Sequence, residues 1–349
     1  MLTQDREPLR PLVESWFAPA ALAELLGRPA TRTESMAQDA LAQGGKRWRP
    51  LLAASAAAAF SAAPVAWDDF RSVAVAVECF HKASLIHDDI EDGDRFRYGA
   101  ATLHERWGVS VALNVGDLLI GEGYRLIGRC GRPASAQAAM LQVAAQGHRL
   151  LCIGQGQELW WLRNPRPLGV AEVLDIFRLK TAPAFEVALH LGAIYAGADT
   201  LPLAALSRYS EALGVAYQIS DDLDDLAAPP GYEGGPSLRP NILLALAWES
   251  ADAAGRERIE RAWRQTAPTD GKALAQTLTA LQAVARAEEL LEHYKRQALE
   301  CLRQLAAPAA RHVLETMVSR IFPAAPAVVA PASPVAKAAD EPLGAESAA

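Results

Sequence analysis

ECFHKASLIHDDIED, residues 78–92, is an apolar helical pattern that ends in concentrated negative charge. At about 100° per residue with His81 set to zero, Asp88 falls near about −20°, Asp92 near about +20° and Asp89 near about 80°. One face therefore presents His81 with three carboxylates, while Ala83, Leu85, Ile86 and Ile90 make the remainder core-like. The pattern reads as a helix built into a core whose acidic end is not merely solvated.

A second stretch, YQISDDLDD at 217–225, repeats the device. Gln218, Asp221, Asp222 and Asp225 share an arc of about 100°, with Asp224 outside it; Val215, Ile219 and Leu223 supply apolar flanks. Carboxylates at i and i+4 repel each other, and acids at a helix C-terminus oppose its dipole, so each face needs a cation. Oxygen-only ligands suit Mg²⁺, which keeps several waters and bridges carboxylates to a substrate phosphate. Two such faces are expected to hold a diphosphate between them. Other metals fail on spacing: an EF-hand begun at Asp88 would have Ile90 at its third position and Gly99 at its twelfth, and neither HExxH nor a Cys/His cluster supports zinc. His81 and His87, six residues apart, do not share a face.

Around these stretches the chain is rich in Ala, Leu, Glu, Arg and Gln, with apolar residues at three- and four-residue spacing, which predicts an all-α protein. Breakers at 62–64, 130–133, 164–169, 197–202, 229–236 and 267–271 leave long helical segments, as in a large antiparallel bundle. No shift in composition divides residues 1–322, read as one domain, whereas 323–349 is an Ala/Pro-rich segment expected to be a flexible tail. No repeat at a fixed period points to a solenoid. Of 349 residues 51% are hydrophobic, and 34 basic against 41 acidic side chains leave a net charge of −7, which argues against a nucleic-acid partner. The longest apolar stretch, Leu51 to Ala66, is too short to span a bilayer, and Met1 to Arg10 does not resemble a secretory leader. Cys79, Cys130, Cys152 and Cys301 form no CxxC pair, so a cytoplasmic setting is expected.

Cations that would answer the acids are at hand. Gly44-Gly45-Lys46-Arg47-Trp48-Arg49-Pro50 places three within four residues, without the P-loop pattern. Arg95 and Arg97 follow the first acidic face, and Lys180-Thr181 interrupts an apolar helical stretch from Ile176 to Leu191. Gly154-Gln155-Gly156-Gln157-Glu158 adds a carboxylate on a long helix.

Taken in order, GGKRWRP (44–50), HKASLIHDDIEDGDRFR (81–97), GQGQE (154–158), KT (180–181) and YQISDDLDD (217–225) resemble the trans-isoprenyl diphosphate synthase, or polyprenyl synthetase, family, and geranylgeranyl diphosphate synthases in particular. The resemblance implies an isoprenoid synthase fold around a central cavity, a homodimer, and Mg²⁺-dependent condensation of isopentenyl diphosphate with an allylic prenyl diphosphate. It implies that Asp88, Asp92, Glu158 and Asp221 bind metal, with Asp89, Asp222 and Asp225 completing the motifs. Arg97 and Lys180 would bind the allylic phosphate. Lys46, Arg49 and His81 would hold isopentenyl diphosphate, and Thr181 with Gln218 would face the developing cation. Ser84 and Phe80, one and two turns before Asp88, together with Ala83, are expected to set product length near C20. Tyr98 stands where the family has a second arginine, and the lysine-bearing loop after the second motif is replaced by 227–241, in which Arg239 stands in for one lysine. These departures leave open a class I terpene synthase on the same scaffold, or a non-catalytic subunit of a heteromeric synthase.

Overall fold

The computed structural model describes residues 9–198, 200–227, 239–264, 271–306 and 308–322. The segment 323–349 and most of the loop after the second acidic stretch lie outside them. Three short helices open the chain: α1 (Leu9–Ser15), α2 (Pro19–Leu26) and α3 (Arg32–Ala42). A capping box starts α3, where the Thr31 hydroxyl accepts from the Glu34 N–H at 3.2 Å and the Glu34 carboxylate accepts from the Thr31 N–H at 2.8 Å. The alanine-rich α4 (Trp48–Phe60) packs on the long α5 (Trp67–Asp92), which carries the first acidic face.

Beyond α5 the chain forms a small antiparallel hairpin, β1 (Phe96–Arg97) and β2 (Ala100–Ala101), then α6 (Leu103–Trp107) and α7 (Val109–Ile127), which lies against α5. Next come α8 (Ala134–Arg163), α9 (Val170–Lys180), α10 (Ala182–Tyr195) and α11 (Thr200–Ala227), which carries the second acidic face. The described chain ends with α12 (Ile242–Ser250), α13 (Ala253–Arg264), α14 (Gly271–Ala280), α15 (Ala283–Leu302) and α16 (Pro308–Ile321).

Two clusters of buried side chains hold these helices. The larger includes Leu52, Phe70, Leu119 and Leu189 from α4, α5, α7 and α10; the other joins Phe177, Ile219, Leu243 and Trp263 from α9, α11, α12 and α13. Helix α11 belongs to both, giving Leu213 and Ala216 to the first and Val215 and Ile219 to the second. Its acidic end thus emerges where the two cores meet.

Helix breaks fall near 61–66, 128–133, 164–169 and 196–198, as the sequence suggests, while 229–236 and 267–270 lie outside the described residues. The described helices are also divided where no breaker is read from the sequence, at 16–18, 27–31, 43–47, the hairpin, Thr181, 251–252, 281–282 and 303–306. The continuous helix expected from Ile176 to Leu191 is in fact two, α9 and α10. Pro183 explains the division: it has no N–H to give the carbonyl four residues back, and its ring clashes with that carbonyl. Thr181 takes φ −125° and ψ −44° between the helices.

Candidate active site

Gly93, at φ 70°, ends α5 directly after Asp92. The chain reverses through a two-residue turn at Tyr98 (φ 52°) and Gly99 (φ 78°), positive at both residues as a type I′ hairpin requires. That return brings Arg97 back to α5, where its guanidinium pairs with Asp89 and reaches Asp94 at 3.4 Å. Asp88 and Asp92 remain unpaired by it. Burial pushes the Asp88 carboxyl up to about 7, with Asp92 and Glu91 adding to the rise and Lys180 and Arg97 opposing it. Burial also raises Asp92 above the usual carboxylate range; Lys180 opposes and Glu158 adds.

On α11, Asp222 is fully engaged. It accepts the Ile242 N–H at 2.7 Å, at the start of α12, and sits 3.3 Å from Arg239, which also pairs with Asp225 at 2.5 Å. Asp221 has no such partner: burial lifts it to about 7, opposed by Arg239 and Lys46. Asp222 also lies at about 7, because burial outweighs Arg239 and the backbone donor.

Glu158 on α8 stands between the two faces. Its carboxylate accepts from the Lys180 ammonium at 2.5 Å, and its charge acts on both Asp92 and Arg239. Two glycines permit this. A Cβ on Gly154 would lie 2.5 Å from the Lys180 backbone nitrogen, and one on Gly214 would lie 2.6 Å from the Ala182 Cα, so α8 and α11 both close onto the α9–α10 junction. Thr181 is buried at that junction, and Gln218 lies half-buried one turn before Asp221 and Asp222.

Arg49, in the first turn of α4, donates to His81 Nε2 at 3.2 Å. A guanidinium can only donate, so this nitrogen accepts; burial together with the neighbouring Arg49 and Lys82 charges holds the imidazole well below its usual range, hence neutral. The Arg49 Nε is buried without a hydrogen-bond partner, and its charge is felt at Tyr217, beside the second acidic face, while Asp88 of the first acts on it in turn. Lys46 is exposed.

Of the seven acids expected to serve a metal, Asp89, Asp222, Asp225 and Glu158 each have a protein cation beside them, while Asp88, Asp92 and Asp221 form no salt bridge among the described residues. Asp89 and Asp222 are each the most buried member of their pair and take the nearest fixed donor. Among the described residues no three His, Cys, Asp or Glu side chains converge closely enough to hold a metal by themselves. Ala83 packs in the core, leaving exposed Ser84 and half-buried Phe80 on the stripe below Asp88. Phe80 meets Tyr124 edge to face at 5.0 Å, and the Tyr124 hydroxyl lies 3.2 Å from His148 Nδ1. Tyr124 and His148 escaped the sequence reading, as did a buried pair between Arg47 and Glu78 at 2.5 Å. The position of Glu78 within an apolar run was the available signal, since a buried carboxylate demands a partner.

The profile of the polyprenyl synthetase family matches residues 30–281. A short chain isoprenyl diphosphate synthase from Methanothermobacter thermautotrophicus is 31% identical over 62% of this chain and 67% of its own length. Farnesyl diphosphate synthase from Geobacillus stearothermophilus is 32% identical over 72% of this chain and 88% of that one. The crystal structure of geranylgeranyl pyrophosphate synthase from Corynebacterium glutamicum, complexed with isoprenyl diphosphate and magnesium, superposes with a TM-score of 0.77 at 25% identity, over 91% of this chain and 99% of that one. Among the described residues no helix is long and apolar enough to cross a membrane. The chain belongs to the polyprenyl synthetase family of prenyltransferases and has its all-α isoprenoid synthase fold.

Proposed function

We propose that this prenyltransferase joins isopentenyl diphosphate head to tail to an allylic prenyl diphosphate, releasing diphosphate, with Mg²⁺ as its divalent cofactor. One observation carries the reading: Lys180 and Glu158 lie between two acidic helix ends, each of which retains a buried carboxyl raised to about 7. Such carboxyls lack the cations that would keep them ionised, and a metal–diphosphate unit supplies both the charge and the missing oxygen ligands. The donor set fits Mg²⁺. It is oxygen-only, as suits an ion that takes one or two carboxylates and completes its shell with phosphate and water.

Asp88, Asp92, Glu158 and Asp221 are the proposed ligands, directly or through water, with Asp225 beside them. Asp89 and Asp222 instead orient Arg97 and Arg239. Mg²⁺, when bound, neutralises the diphosphate and stabilises it as a leaving group. Arg97 and Lys180 donate to its oxygens, while Lys46, Arg49 and His81 hold isopentenyl diphosphate. Thr181 and Gln218 turn dipoles toward the allylic cation, which the isopentenyl double bond attacks. The proton then lost passes to the departed diphosphate. Phe80, backed by Tyr124 and His148, floors the product channel, in keeping with a product near C20. All four cysteines are free, in agreement with a cytoplasmic setting. Exposed Val109 and Leu113, one turn apart on α7, with Ile153 and Trp160 on α8, are apolar positions available to a homodimer interface.

The test is incubation of the purified protein and Mg²⁺ with isopentenyl diphosphate and a C5, C10 or C15 allylic diphosphate. Elongated diphosphates are expected. Hydrocarbons or alcohols formed from allylic substrate alone would make the chain a terpene synthase, and turnover only after addition of a second protein would make it a subunit.

A further inference from the structure

Arg47 sits one residue after Lys46 and two before Arg49, yet it faces the interior. It occupies the N-cap of α4 in the left-handed region, φ 50° and ψ 30°, which a residue with a Cβ rarely adopts. Its guanidinium offsets this with three short bonds: to Glu78 on α5 at 2.5 Å, and to the carbonyls of Leu41 and Gln43 at 2.5 and 2.7 Å. Those carbonyls belong to the last turn of α3 and its C-cap, which have no helical donor of their own. The Phe17 ring covers the guanidinium at 4.1 Å. Lys82 adds two longer contacts, to Gln43 at 3.3 Å and Gly44 at 3.4 Å.

One side chain therefore ties together the end of α3, the glycine loop, the start of α4 and the middle of α5. Gly44 and Gly45 give that loop no side chain with which to hold itself, and Gly45, at φ 158°, has no neighbour within 4 Å of where a Cβ would be. Apart from the clamp, the segment is held only by the longer Lys82 contacts and by the bond from Arg49 to His81. Fork geometry matters here, since a lysine could satisfy only part of the set.

We infer that Arg47, seated on Glu78, is a positioning residue that fixes the Lys46–Arg49 loop in register for the isopentenyl diphosphate. The inference rests on the proposed condensation, so the wild type is first titrated with isopentenyl diphosphate by calorimetry; no binding there defeats the proposed function rather than the clamp. Steady-state kinetics are then measured for Arg47→Lys and Glu78→Gln, with thermal melting of each. The KM for isopentenyl diphosphate is expected to rise about 10- to 100-fold, the scale of a misplacement of about an ångström, while the KM for the allylic substrate stays within about twofold. Arg47→Lys is expected to retain more isopentenyl affinity than Arg47→Met, and Tyr209→Phe, which removes the remote bond from Tyr209 to Leu314, is expected to melt earlier with both KM values unmoved. If Arg47→Lys does not fold, the milder Glu78→Gln carries the same readout. Unchanged isopentenyl KM in a folded variant, or both KM values rising together in step with lost melting temperature, would overturn the inference.

Discussion

Asp221, one of the proposed metal ligands, costs stability where it stands. Its folded-state value of about 7 stands above the ordinary aspartate value of about 3.9 in an unfolded chain. The folded state thus binds the proton more tightly, and the stabilisation is complete below pH of about 4 and lost as pH rises through about 7. Asp221→Asn is therefore expected to raise the melting temperature of the metal-free protein by a few degrees at pH 8, with little gain near pH 4.5, while abolishing turnover; calorimetric scans at the two pH values check it. Tyr98 marks the other residue-scale departure. It is three-quarters exposed at the hairpin turn and puts a phenol where the resemblance expects a guanidinium near the proposed isopentenyl diphosphate site. Tyr98→Arg is expected to lower the KM for isopentenyl diphosphate about tenfold, a charge-assisted phosphate contact being the gain, measurable in steady-state assays.

At the scale of elements, the stripe of α5 below Asp88 meets α7 at Phe80 and Tyr124, and a Cβ on Gly123 would lie 2.6 Å from the Phe80 ring. The ring is thus wedged against a backbone that leaves it no alternative place. Phe80→Ala removes the wedge, and products longer by one or more C5 units are expected on chromatography of the reaction; an unchanged product would remove Phe80 from the channel. The long helices were legible in their spacing, and so was the division of α5 and α11 into core flank and acidic face. The break at Thr181 was also written in the chain, as Pro183, but apolar periodicity on both sides hid it. The hairpin was not legible: two-residue strands carry no alternation, and only Gly99 marked the turn. Nor could helical angles alone show that Asp89 and Asp222 would be taken by Arg97 and the Ile242 N–H, because both donors come from segments beyond the helix in question.

For the whole molecule, the decisive fact is that Glu158, bonded to Lys180, acts both on Asp92 at the end of α5 and on Arg239 beside the acidic end of α11. A chain with net charge −7 and clustered acids at that junction is held together locally by Arg97, Lys180 and Arg239. On the outside, the exposed apolar residues of α7 and α8 predict a homodimer. Light scattering after gel filtration should give twice the chain mass, and Leu113→Asp should shift it toward the monomer. If two acidic faces grip one diphosphate through divalent cations, calorimetric titration with inorganic diphosphate shows it, with and without Mg²⁺, on the wild type, Asp88→Asn and Asp221→Asn. Mg²⁺ is expected to tighten binding at least about tenfold in the wild type, and either substitution alone is expected to remove the gain. Tightening that survives the loss of one face, or binding indifferent to Mg²⁺, would refute a shared grip.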